Sequence, residues 1–113
     1  MIKDWIKNTN CAITICDADG FIIYMNEKSI STFSREGKSL IGHNLKDCHP
    51  PKAWSKIQEL ITTGGSNAYT IEKNGVKKMI YQTAWFEEDK VGGLIEISMV
   101  LPDVVPHYVR ESK

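Results

Sequence analysis

The chain has 113 residues, 42% of them hydrophobic and 25% charged, with fourteen basic residues balancing fourteen acidic ones. That is one domain with enough apolar surface for its own core, and the cancelled charge excludes a field that would draw nucleic acid or anionic lipid. The apolar runs fall short of the ~20 residues of a membrane span, the N-terminus lacks a signal peptide's apolar stretch, and the three cysteines include no Cys-x-x-Cys pair, so reduced thiols in a cytoplasmic protein are expected.

Ile2, Trp5 and Ile6 are spaced to share one side of a short N-terminal helix over residues 1–9. Residues 11–16 alternate as a strand does: Cys11, Ile13 and Ile15 share one face, Ala12, Thr14 and Cys16 the other, so Cys11 and Cys16 cannot bridge each other. Asp17-Ala18-Asp19-Gly20 is a turn signal joining this strand to a second over 21–25. Asn26 reads as the N-cap of a modest helix over 28–33 that carries Ile30 and Phe33 on one side, and Gly37 and Gly42 divide the next segment into short helical pieces.

Pro50 and Pro51 suit the first turn of the next helix, 52–63, whose Ala53, Trp54, Ile57, Leu60 and Ile61 make one apolar face before Gly64-Gly65 ends it. The period then changes. Strands over 68–72 and 76–86 flank Asn74-Gly75, the strongest short hairpin signal, and residues 87–90 turn the chain into a last strand, 91–101. Pro102 and Pro106 bracket an apolar tail over 102–113. No repeat or linker interrupts the chain, so one domain is expected, with its core over 11–101.

The last strand is apolar on one side through Ile95, Ile97 and Met99, and carries Leu94, Glu96 and Ser98 on the other. A sheet covered by helices on one face leaves the second face to the N-terminal helix and another subunit, so a homodimer is expected with Ile2, Trp5, Ile6, Ile95, Ile97 and Met99 at its interface.

Taken in order, these motifs resemble a PAS domain. Asp19-Gly20-Phe21-Ile22-Ile23-Tyr24-Met25-Asn26 is similar to that family's second strand and helix cap, Leu40-Ile41-Gly42-His43-Asn44-Leu45 to its Leu-Ile-Gly-x-Asn turn, and His49-Pro50 to the step before its long helix. Gly93–Ser98 takes the place of its closing strand. Cys48-His49-Pro50-Pro51-Lys52 further resembles a PAS subgroup of bacterial proteins that also carry hemerythrin-like regions. The resemblance implies an α+β fold, a five-stranded antiparallel sheet with helices on one face and an N-terminal helix outside it. It implies a sensory module that binds a small ligand, or a partner, and has no output domain of its own. Val100-Leu101-Pro102 stands where the family has the Asp-Ile-Thr leading into a signalling helix, so output is expected through a separate signalling protein.

The resemblance also proposes a pocket between helices and sheet, lined by Thr14, Cys16, Ile22, Tyr24, Leu45, His49, Trp54, Ile57, Ile80, Gln82, Leu94 and Glu96. Glu96 needs a partner on an otherwise apolar face, or it takes up a proton; Tyr81, Gln82 and Thr83 are the nearest candidates, and the carboxylate is either a structural hydrogen-bonding group or a polar anchor for a ligand. Cys48 and His49 offer sulfur and imidazole donors suited to haem iron or zinc, against a plainer role in which His49 holds a turn before Pro50 beside a small buried thiol. Haem-binding PAS domains take their histidine from the long helix, and 52–63 has none. Light-reactive flavin PAS domains place a cysteine where this chain has Leu45. Adjacent Cys48 and His49 do not meet the geometry of a nucleophile and its base, so no catalytic residue is assigned, a small enzyme on a similar sheet being the remaining alternative.

Overall fold

Asp17 and Gly20 set the first hairpin. The Asp17 carboxylate accepts from the amides of Asp19 and Phe21, at 3.0 and 2.9 Å, while Gly20 takes φ 91, where a side chain is disfavoured. In the computed structural model, which describes residues 4–112, this turn joins β1 (Ala12–Asp17) to β2 (Ile22–Met25). A short α1 (Asp4–Lys7) precedes them, and α2 (Glu27–Phe33) comes directly after. Two single-turn 3-10 segments, Arg35–Gly37 and Leu45–Cys48, lead into α3 (Pro51–Thr63), and β3 (Ser66–Lys73), β4 (Val76–Glu87) and β5 (Lys90–Leu101) complete the chain. Ile2 lies outside the described residues.

The strands form one antiparallel sheet in the order β2-β1-β5-β4-β3. The last strand therefore enters at the centre, between the first and the fourth, and its twelve residues pair on both sides. The Asn74-Gly75 turn has both residues at positive φ, 53 and 79, as a two-residue hairpin of this hand needs.

Asn26 ties the fold together at the end of β2. Its side-chain oxygen accepts from Ser29 N, capping α2, and from Ile13 N on β1, each at 2.9 Å. Its amide donates to the carbonyls of Ile6 and Cys11 at 3.0 and 2.9 Å. The segment after α1 is thereby moored to the sheet edge, although α1 itself buries no residue.

α3 packs on the inner face through the fully buried Ile57 and Leu60 and stops at Gly64, which takes φ 70. Cys16, Ile22, Met25, Leu45 and Leu94 join them in one cluster, with Ile30, Leu40, Trp54 and Ile61 packed against it. Each fully buried aliphatic residue there contributes about 1.5–3 kcal/mol.

Two irregularities set which side chains face inward. Ile15 pairs with Tyr24 but Cys16 pairs with Ile22, so Ile23 is an extra residue, a β-bulge. In a regular strand Ile22 and Tyr24 would share a face. The bulge separates them: Ile22 points to the helices, and Tyr24 lies on the outer face opposite Ile15. Tyr24 is thus removed from the expected pocket lining.

The second irregularity is on β5. Trp85 pairs with Gly93 and Phe86 with Val91, leaving Gly92 unpaired. The indole of Trp85 lies across this pair of glycines and donates from Nε1 to the carbonyl of Cys16 at 2.9 Å. A Cβ on Gly92 would come within 2.2 Å of the ring, and one on Gly93 within 1.9 Å of the Cys16 oxygen. Only glycine fits at either place.

The outer face carries half-buried Ile13, Ile15, Met79, Ile95 and Ile97, with Tyr81 and Met99 exposed. Trp5 is 71% exposed, so the described residues of α1 do not cover this face. The described part of the N-terminal helix, Asp4–Lys7, buries no residue.

Candidate functional site: a cavity over the sheet

The pairing register lays one row of side chains across the inner face of all five strands. Met25 lies opposite Thr14, Thr14 opposite Glu96, Glu96 opposite Gln82 and Gln82 opposite Asn67. Four of these five are polar. The adjoining row, Ile22, Cys16, Leu94 and Ala84, is apolar and buried.

Hydrogen bonds along the polar row run in one direction. Asn67 Nδ2 donates to Gln82 Oε1 at 3.3 Å, and Gln82 Nε2 donates to Glu96 Oε2 at 2.8 Å. Glu96 is half-buried, and among the described residues its other oxygen, Oε1, has no hydrogen-bond partner. The Thr14 and Ser29 hydroxyls bond to each other, and no bond joins Thr14 to Glu96 among the described residues. Of the three candidates that the sequence offers for Glu96, Gln82 is the partner; Tyr81 and Thr83 point to the outer face.

Above this row lies a cavity of about 910 Å³. Its floor is Thr14, Ile22, Met25 and Glu96 from the sheet, and its roof is the segment from Phe33 to His49. Five of the twelve proposed lining residues meet here: Thr14, Ile22, Leu45, His49 and Glu96. The others go elsewhere. Cys16, Ile57 and Leu94 fill the core, Ile80 and Gln82 are buried on β4, and Tyr24 is on the outer face. Trp54 packs on the first hairpin, its ring within 2.6 Å of where a Cβ on Gly20 would stand, which explains a glycine at that turn.

The loop 34–48 supplies lining that the sequence patterns did not single out: Glu36, Lys38, Ser39, Leu40, His43 and Asp47, besides Phe33 and Met25. Leu40 N donates to the Met25 sulfur at 3.4 Å, which holds the loop over the end of β2. The loop is pinned further along as well, where Ile22 N donates to His43 O and Gly42 N to Ile22 O, both at 2.8 Å. The one sequence signal for this roof is Leu40 ahead of a Gly42 turn, an apolar anchor in a polar segment.

His49 Nδ1 lies 2.8 Å from the carbonyl of Leu45, which accepts only if Nδ1 carries the proton. The ring therefore holds the turn before Pro50, and in the neutral form Nε2 is a free acceptor. Cys48 is exposed, not the small buried thiol expected beside His49, because the 3-10 turn rotates it outward. Among the described residues no three His, Cys, Asp or Glu side chains converge as metal ligands do. Burial pushes the Cys16 thiol up to about 11, so at neutral pH it is a small apolar filler.

A family model described as the PAS fold matches residues 6–63, and the chain belongs to that family. No curated protein matches the sequence. Among solved structures, a sensory box sensor histidine kinase from Vibrio cholerae superposes with a TM-score of 0.68 at 15% identity, over 88% of each chain. A PAS domain from Colwellia psychrerythraea gives 0.65 at 18%, over 87% of this chain and 92% of that one. The Vibrio cholerae VqmA dimer gives 0.71 at 17%, over 88% of this chain and 51% of that chain. At these identities the likeness is one of fold. PAS-fold domains are sensory modules of signalling proteins, generally not enzymes. Among the described residues no helix is long and apolar enough to cross a membrane.

Proposed function

We propose that this chain is a cytoplasmic sensory PAS module whose signal is a small molecule held in the cavity above Glu96, with a second copy or a separate signalling protein reading the outer face of the sheet. The single observation that carries the ligand reading is the cavity of about 910 Å³ with a carboxylate in its floor. That size is in the range of small-molecule sites, and a few fixed polar groups in a mostly apolar lining give orientation and specificity. The relation to VqmA, solved with DPO bound, supports a ligand-holding use of the same fold. On this reading the apolar core over 11–101 is the sensing unit, with 1–9 and 102–113 flanking it.

Native mass spectrometry of protein purified without denaturation tests this. The expected result is an added mass of a small organic molecule on a dimer. Protein that emerges bare, and that gains no thermal stability from any member of a small-molecule library, overturns the ligand reading. The haem alternative requires a Soret band in the same sample that His49→Ala abolishes.

A further inference from the structure

Resting on that reading, we infer that the cavity selects a small organic cation: an ammonium or amidinium group carried on an apolar or aromatic body. Glu96 is the group that would choose it. Its Oε2 is satisfied by Gln82, whose amide is itself fixed by Asn67, so this relay delivers one donor to the carboxylate. Its Oε1 has no protein donor among the described residues, and Glu96 lines the cavity. A half-buried carboxylate with one unpartnered oxygen is stabilised by a donor from outside the protein, most of all by a charged one.

The rest of the lining favours the same charge. Among the described lining residues Lys38 is the only lysine or arginine, and it lies at the rim, 3.9 Å from Glu36 with both side chains 81% exposed. Asp47 and Glu96 remain, against no further lysine or arginine among the described lining residues. An anion would meet Glu96 without a counter-charge. An uncharged, purely apolar molecule would leave Oε1 unpaired after displacing its water. Ile22, Met25, Phe33, Leu40 and Leu45 then contact the apolar body of the ligand.

Three probes of similar size and different charge test this in calorimetric titrations: 2-phenylethylammonium, phenylacetate and propylbenzene. The expected result is that the ammonium probe binds at least about tenfold tighter than phenylacetate, and that Glu96→Gln removes this preference. Preference for phenylacetate, equal binding of all three, or a preference that survives Glu96→Gln overturns the cation inference and leaves the ligand reading standing. Failure of all three probes to bind overturns the cation inference, and the ligand reading then stands or falls by the mass spectrometry and library test. The ranking in the unaltered protein is decisive alone if Glu96→Gln does not fold.

Discussion

Asn26 uses its full hydrogen-bonding capacity on four different parts of the chain, and it is 1% exposed. Removing the side chain uncaps α2 and leaves the Ile13 amide and two carbonyls to find other partners. Asn26→Ala is expected to cost about 2–4 kcal/mol, read as a lower urea midpoint. Asn26→Asp keeps both accepting bonds but sets a carboxylate against the carbonyls of Ile6 and Cys11, so it too should destabilise. The two variants thus separate the cap from the mooring of the N-terminal segment. Cys16 gives a second prediction at this scale. Its thiol releases a proton near 9.0 in the unfolded chain and about 11 in the folded one, because burial disfavours the thiolate. Between those values the unfolded state holds fewer protons, so the contribution is intact below pH 9 and lost as the pH rises to about 11, with a slope of about 1.4 kcal/mol per pH unit. Urea midpoints measured across that window should fall more steeply in the wild type than in Cys16→Ala. In native protein a thiol reagent should label exposed Cys48 quickly and Cys16 only on unfolding.

At the level of elements, the crossing of Trp85 over Gly92 and Gly93 fixes how β4, β5 and β1 fit together. Gly93→Ala places a Cβ against the Cys16 carbonyl, a backbone atom that cannot swing aside, and should cost at least about 3 kcal/mol. Trp85→Phe keeps the ring over the glycines but loses the bond to that carbonyl; a milder loss of about 1 kcal/mol in chemical denaturation is expected. The contrast also marks what could be read from the sequence. The strands, the Asn26 cap, α3 and its buried face come from period-two and period-3.6 patterns and turn chemistry, which are local. The Asn74-Gly75 hairpin needs nothing beyond two adjacent residues. Bulges are not local in that sense. Ile23 and Gly92 become extra residues only through how neighbouring strands pair, and the sequence order of Ile22 and Tyr24 gives no warning that they face opposite ways. The cavity is likewise a product of register: Thr14, Glu96, Gln82 and Asn67 are far apart in the chain and meet in one row. Glu96 could be singled out as a lone carboxylate among apolar neighbours. Of the loop 34–48 that roofs it, Leu45 could be placed from the turn motif, but Glu36, Lys38, Ser39 and Asp47 could not, because they look like any solvated connection.

Across the whole molecule, the two faces of the sheet are linked by β5 itself. Glu96 points into the cavity while Ile95 and Ile97, one residue to either side, point to the outer face with Met99 beyond them. On the proposed reading, a ligand bonded to Glu96 acts on a central strand whose neighbouring residues face outward, so binding is expected to bias the outer face. If that face seats a second copy, ligand binding and dimerisation are coupled, and the coupling acts equally in both directions. Ile97→Glu, in the proposed dimer surface, places a charge among Ile13, Tyr81 and Ile95 without touching the buried cluster. Sedimentation is expected to show a dimer for the native chain at micromolar concentration and a folded monomer for this variant. The monomer should then bind 2-phenylethylammonium with a different affinity from the dimer. Equal affinities would separate sensing from assembly, and a native chain that stays monomeric at every concentration would assign the outer face to a different protein.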